Sequence, residues 1–372
     1  VNKNVFKGRT GARLGGVLFI AAVGLQIMTP ARSLAQDASP GEAQKGLQIL
    51  LLGTHGGPAL VKERSEPATV LTVDGRSYLI DCGIGTMRRI LDAGVQSQRI
   101  GTIFITHYHP DHALGLVDVL ANDYHHLDLD APRSRQEFNI YGPPQTPALV
   151  SAAYDYIKIP YGVFAAEPIG RSALFDPFKA HVIDHDGLVY QDNRIRVTAA
   201  ENTHYQLIPL KYQASMKSYS YRFETPYGAV VFTGDTGPSA AVEALAKDAD
   251  VLITEVEDLD AIEIDVRGHG IGNAGNADKL VEHMRIEHLP MKAVGELASK
   301  ANVKAVILDH YVGGDDAERF TAGVKAFYSG PVFAGEDLAR YCLAAGIPSG
   351  GSGSRSLETA PIASASKLAL CP

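Results

Sequence analysis

Short apolar runs alternate along this chain with stretches whose apolar positions recur every three or four residues. The short runs predict strands at Gln48–Leu52, Thr69–Val73, Ser77–Ile80, Thr102–Thr106, Glu137–Tyr141, Ile195–Thr198, Tyr219–Glu224, Ala229–Thr233, Val251–Thr254 and Ala305–Leu308. The longer period predicts helices at Ile84–Ala93, Ala113–Leu120, Pro238–Ala246, Pro290–Lys300 and Ala317–Phe327. Strands and helices interleave, and no short internal repeat is visible. The expected class is therefore α/β or α+β with buried sheets.

The two ends of the chain do not follow this pattern. Lys3, Lys7, Arg9 and Arg13 precede a largely apolar run from Leu14 to Ile27, too short for a comfortable membrane span. Ser33 and Ala35 then sit where a signal peptidase wants small residues. Residues 1–35 are thus expected to be a secretory signal peptide, and the protein to be periplasmic or secreted. Residues 36–46 read as a polar lead-in, 47–345 as one catalytic domain, and 346–372, with Pro348-Ser349-Gly350-Gly351, as a flexible tail. No later run is apolar enough for a membrane span, so no membrane association is expected.

Composition changes this picture little. The chain has 372 residues, 45% of them hydrophobic and 20% charged, which excludes wholesale disorder and collagen. Removing residues 1–35 takes away five basic residues (Lys3, Lys7, Arg9, Arg13, Arg32) and no acidic one, deepening the net charge from −8 to −13. Such an acidic protein is a poor general coat for nucleic acid. Three cysteines (Cys82, Cys342, Cys371) make no disulfide framework, although one pair is conceivable in an oxidising compartment. Cys82 reads as a small buried residue after a strand.

The sharpest chemical signal is Thr106-His107-Tyr108-His109-Pro110-Asp111-His112. On an extended segment, His107 and His109 project to the same side. Pro110 breaks the strand, and Asp111 and His112 open the next helix. Imidazole and carboxylate suit zinc, and the split suits two ions better than one. Further along stand His204, Asp235, His288 and His310. Taken singly they have plain structural readings: a loop residue, a helix N-cap, a helix-flanking histidine and a strand-end histidine.

These motifs resemble the metallo-β-lactamase superfamily, an αβ/βα sandwich of two mixed β-sheets flanked by helices, and the resemblance covers nearly all of 47–345. Leu52-Gly53-Thr54-His55-Gly56-Gly57-Pro58, Arg64-Ser65-Glu66-Pro67, Phe232-Thr233-Gly234-Asp235-Thr236-Gly237-Pro238 and Val303 to Tyr311 are similar to the ribonuclease Z branch. The resemblance implies two zinc ions per chain. Metal one takes His107, His109 and His204; metal two takes Asp111, His112 and His310; Asp235 bridges them. Asp111 is also counted in the catalytic set, because the implied nucleophile is a hydroxide held between the ions. Asp81, in Leu79-Ile80-Asp81-Cys82-Gly83, is implied to be a buried supporting carboxylate rather than a ligand. His288 is implied to be the proton donor, oriented by Glu255, with His269 as its rival. The resemblance also suggests a homodimer.

Two features depart from the ribonuclease Z pattern. Pro290 stands where that branch has a hydroxyl residue after the catalytic histidine. Residues 113–203 hold 7 Lys/Arg against 12 Asp/Glu, which opposes RNA as a partner. That insert also carries Tyr154, Tyr156, Tyr161 and Phe164, read either as the aromatic wall of a small-molecule pocket or as loop aromatics packed on the core. Export and the histidine set together favour a metallo-β-lactamase of subclass B3 character, an antibiotic-resistance enzyme opening β-lactam amides. The alternative is a phosphodiesterase of ribonuclease Z type, including tRNA 3′-end cleavage, or an arylsulfatase. A noncatalytic zinc-binding scaffold is the reading from a different class.

Overall fold

The strand Leu47–Gly53 sends Leu47, Ile49 and Leu51 into one hydrophobic cluster and Leu50 and Leu52 into another. Successive strand side chains face opposite ways, so a strand apolar on both faces must be covered on both. This requirement organises the whole domain. The structure is a computed structural model describing residues 45–57, 59–126, 137–167, 176–268, 274–344 and 367–371. The expected signal peptide, most of the lead-in, His269 and the Gly/Ser stretch lie outside the described residues.

In chain order the strands are β1 (Leu47–Gly53), β2 (Ala68–Val73), β3 (Arg76–Ile80), β4 (Ile100–Phe104), β5 (Phe138–Gly142), β6 (Phe178–Val182), β7 (Gly187–Gln191), β8 (Arg196–Glu201), β9 (Tyr219–Thr225), β10 (Gly228–Phe232), β11 (Val251–Glu257), β12 (Val306–Val312), β13 (Val332–Ala334), β14 (Arg340–Ala344) and β15 (Lys367–Leu370). The helices are α1 (Thr86–Asp92), α2 (Pro110–Ala113), α3 (Leu116–His126), α4 (Thr146–Ala166), α5 (Leu210–Gln213), α6 (Ala240–Ala246), α7 (Leu259–Gly268), α8 (Ala274–Glu287), α9 (Met291–Lys300) and α10 (Ala317–Lys325).

One sheet runs β15-β14-β1-β2-β3-β4-β5-β6 and the other β13-β12-β11-β10-β9-β8-β7. Both are mixed: β1, β2 and β3 pair antiparallel and β3 to β6 parallel, while β7 to β10 pair antiparallel and β10 to β13 parallel. The inner faces meet in a cluster containing Tyr78, Phe104, Tyr221, Phe223, Val230, Ile253 and Ile307. Helices α1, α3 and α4 cover the first sheet's outer face; α6, α9 and α10 cover the second's. Each leucine or isoleucine buried in these layers contributes about 1.5–3 kcal/mol. The architecture is the expected αβ/βα sandwich.

Local details depart from the expectations, each for a physical reason. β4 ends at Phe104 rather than Thr106, because the Thr106 N–H donates to the Asp81 side chain (2.7 Å) instead of a neighbouring strand. Residues 146–166 are helical, not an aromatic loop. Thr146, Val150, Ala153 and Ile157 bury one helical face, and Pro160 sits inside the helix without ending it. Tyr154 and Tyr161 pack on the core beside Tyr124, whereas Tyr156 and Phe164 are exposed. The segment after 346, expected to be free of the core, returns at 367–370 as the edge strand β15, paired antiparallel with β14. A Cys342–Cys371 disulfide, Cα atoms 5.2 Å apart, holds it there. Cys82 is buried and unpaired.

Candidate metal centre

The candidate side chains stand where strands of both sheets end. His107 and His109 follow β4, and Asp111 and His112 lie on α2, which Pro110 opens at its first position with a φ already suited to a helix. His204 follows β8, Asp235 follows β10, Glu255 lies in β11 and His310 in β12. The chain gathers eight polar side chains from five separate segments into one largely buried cluster.

Donor atoms of His107, His109, His204 and Asp235 lie within 4.8 Å of one another, as do those of Asp111, His112, Asp235 and His310. Asp235 belongs to both groups. Its Oδ1 is 3.2 Å from His112 Nε2 and 3.3 Å from His310 Nε2, while Oδ2 is 3.8 Å from both His107 Nε2 and His204 Nε2. One carboxylate oxygen thus serves each group. Asp235, Glu255 and His288 form a third group of the same compactness.

Three supports hold the rings. Asp81, at φ 58°, accepts from the Thr106 N–H (2.7 Å) and Oγ1–H (2.8 Å), and its Oδ2 is 2.8 Å from His112 Nδ1. The Thr106 hydroxyl is in turn 3.0 Å from His107 Nδ1. His204 Nδ1 donates to the Glu287 carbonyl (2.9 Å). Such partners fix which ring nitrogen faces the centre. Asp111 Oδ2 accepts the Gly57 N–H at 2.8 Å, and Gly56 lies so close to His310 that a Cβ there would be 2.3 Å from its Cε1.

The residues fit a bound cation. His107 Nε2, His112 Nε2, His310 Nε2 and Nδ1, and Asp235 Oδ1 are buried without a hydrogen-bond partner. Orphaned buried polar atoms cost about 1–3 kcal/mol each unless something binds them. The electrostatics differ between the two groups. Burial pushes the His107 and His204 imidazoles well below their usual range, leaving them neutral as a metal requires. Burial would raise Asp235, but His310 and His112 overcome it and hold the carboxyl far below its usual range. Burial opposes charge on His310, yet the Asp235 and Asp111 carboxylates beside it raise it to about 9.

His288 is buried at the edge of this cluster. Its Nδ1 is 2.6 Å from Glu255 Oε2 and 4.0 Å from Asp235 Oδ2. Burial, with Asp235 nearby, raises the Glu255 carboxyl; burial lowers the His288 imidazole. Pro290 does not displace His288 from the cluster: it caps α9 at φ −58° and bridges to Glu257. Sequence reading missed His283 and Glu287, which flank the same rings. Their four-residue spacing on a helix was the available signal.

This fold is that of a metallo-β-lactamase-fold hydrolase, and the cluster is one that could hold metal. The chain belongs to the β-lactamase superfamily: the family described as "Beta-lactamase superfamily domain" matches residues 76–311. It is 26% identical over 298 residues to the protein named Ribonuclease Z of Mycobacterium avium (strain 104), covering 79% of this chain and 97% of that one. It is 26% identical over 305 residues to Ribonuclease Z of Mycobacterium sp. (strain KMS), covering 81% and 98%. Among solved structures, the metallo-β-lactamase fold protein YhfI from Bacillus subtilis superposes with a TM-score of 0.56 at 15% identity, covering 80% of this chain and 99% of that one. The short form of human tRNase Z gives 0.52 at 20% identity, covering 81% and 100%. These structures share the fold.

The expectation of a β-lactamase is corrected by these relatives. Proteins matched along about four-fifths of the chain carry the name Ribonuclease Z. The family name describes the fold, and a β-lactam substrate has no support.

Proposed function

We propose that this protein is a phosphodiesterase of ribonuclease Z type, with two zinc ions per chain. His107, His109 and His204 would hold one ion, Asp111, His112 and His310 the other, and Asp235 both. When bound, the ions supply Lewis-acid stabilisation of the anionic transition state and lower the pKa of a coordinated water. Asp235 and Asp111 would bring carboxylates that offset the charge of the cations.

The observation that carries this reading is the Glu255–His288 pair beside Asp235. A phosphodiester expels an alkoxide, a poor leaving group that benefits from a proton delivered as the bond breaks. His288, with Nδ1 held by Glu255, would carry that proton on Nε2. Glu255 is itself held by the Thr236 N–H on Oε1 (2.5 Å), so the ring cannot swing freely. The ribonuclease Z relatives support the same chemistry. The test is hydrolysis of bis(p-nitrophenyl) phosphate, and of a tRNA carrying a 3′ trailer, by zinc-loaded protein. Turnover abolished by a chelator and restored by zinc is expected; a zinc-replete protein inert toward both diesters overturns the reading.

We also propose that the protein is exported, with residues 1–35 as the signal peptide. The Cys342–Cys371 disulfide supports this, because such bonds persist mainly in oxidising compartments. Mass spectrometry of the secreted form should find Gln36 at the N-terminus. An intact 1–35 segment on cytosolic protein, with both cysteines reduced, counts against it.

A further inference from the structure

A second carboxylate–imidazole pair stands next to Glu255–His288, and the proposed reaction has not used it. His283 lies on α8 with its ring centroid 5.2 Å from that of His288, 6.0 Å from His204 and 6.5 Å from His109. The His283 and His288 rings are nearly perpendicular, at 85°. His283 Nδ1 is 2.5 Å from Glu287 Oε2, so the two histidines are held in the same way, each by a glutamate on Nδ1.

Glu287 is well placed to fix a ring. It is buried, its Oε1 accepts the Leu207 N–H at 2.7 Å, and its carbonyl takes the His204 Nδ1–H at 2.9 Å. One residue thus ties together His204, the loop after it, and His283. His283 differs from its neighbours in exposure: its side chain is 30% exposed, against 0% for His204 and 6% for His288. It stands nearer the rim than His204 and His288 do.

We propose that His283 contacts the substrate, its Nε2–H donating to a phosphoryl oxygen of the diester while Glu287 accepts from Nδ1–H. This deepens the phosphodiesterase reading and rests on it. With Nδ1 engaged by Glu287, Nε2 is the nitrogen left to face the substrate, and hydrogen bonds to charged acceptors are the strong ones. An ester without an anionic phosphoryl oxygen forfeits that contact, so His283 selects for the phosphodiester class. Burial of Glu287 and its Leu207 contact keep the donor oriented before substrate arrives, which limits the ordering cost of binding.

The experiment uses the zinc-loaded full chain. His283→Ala should raise KM for bis(p-nitrophenyl) phosphate about tenfold with a smaller change in kcat, as the loss of one charge-assisted hydrogen bond predicts. It should weaken binding of inorganic phosphate, read by calorimetry, to a similar extent. Zinc content should match the wild type, and His283→Gln, whose amide N–H reaches toward the Nε2 position, should recover part of the loss. Unchanged KM and phosphate affinity in His283→Ala overturn the proposal. Loss of zinc in both variants also overturns it, by assigning His283 to the metal shell. If the wild type fails to hydrolyse the diester, the functional reading falls, and phosphate calorimetry still decides for or against a contact at His283.

Discussion

His288 Nδ1 and Glu255 Oε2 lie 2.6 Å apart inside a buried edge of the histidine cluster. A carboxylate in that position fixes the tautomer of the ring and leaves Nε2 as its working atom. The cost of burying a carboxyl there is offset by the Thr236 N–H on its other oxygen.

From that pair follows a leaving-group test. His288→Ala should lower kcat about 10²–10⁴-fold for an alkyl phosphodiester, the usual worth of a positioned general acid. The loss should be far smaller for a p-nitrophenyl leaving group, which departs without a proton. Glu255→Gln should fall between the two, and zinc content should not change. Equal losses on both substrates would make His288 a structural residue.

Asp81 makes a second test, through metal affinity. Its carboxylate meets the Thr106 backbone, the Thr106 hydroxyl and His112 Nδ1. Asp81→Asn keeps the shape and tolerates the left-handed φ of 58°. It removes the acceptor that orients two rings. Competition against a chromogenic chelator should report zinc binding weakened about 10–100-fold, the typical effect of losing such a partner. An affinity equal to the wild type would mean that the rings orient themselves.

The legibility of these features in the sequence differed for reasons that can be named. Strands such as β1 and β10 were plain because burial on both faces leaves a nearly continuous apolar run. The residues His107 to His112 were plain because their strand–turn–helix context is local. α4 was hidden by Pro160 and Gly162, which read as punctuation, whereas its packing on β6 and α3 depends on residues far along the chain. β15 was hidden by the Gly/Ser stretch before it; only pairing with β14 and the bond to Cys342 make it a strand. The Glu287 contacts with Leu207 and His204 span about 80 residues of chain, and no short motif encodes them.

Gly56 tests how tightly the second group is built. An added Cβ would fall 2.3 Å from His310 Cε1 and 2.4 Å from its Nδ1, closer than real atoms approach. In Gly56→Ala, His310 must therefore move away from Asp111 and Asp235. Zinc bound per chain should fall by about one ion, and turnover should fall with it, because one group loses a ligand. The far-ultraviolet circular dichroism should hold, since Gly56 lies in a loop. Two tightly bound ions in this variant would show that the loop yields instead.

Asp123 tests a group remote from chemistry. It lies on α3, is almost fully buried, and both carboxylate oxygens are without a hydrogen-bond partner. Burial raises its carboxyl to about 8, against the lowering pull of Ser97 and Asn122. An unfolded aspartate titrates near 3.9. Between these values the folded protein keeps a proton that the unfolded chain gives up. Asp123's contribution to stability is thus fullest below about 4 and is lost as pH rises toward about 8. Wild-type stability should fall from pH 5 to pH 8 by roughly 3–4 kcal/mol more than that of Asp123→Asn, in which nothing titrates at this position. Thermal unfolding of both proteins at the two pH values is the measurement. Parallel pH dependences would mean that Asp123 is ionised in the fold and that a partner stabilises its charge.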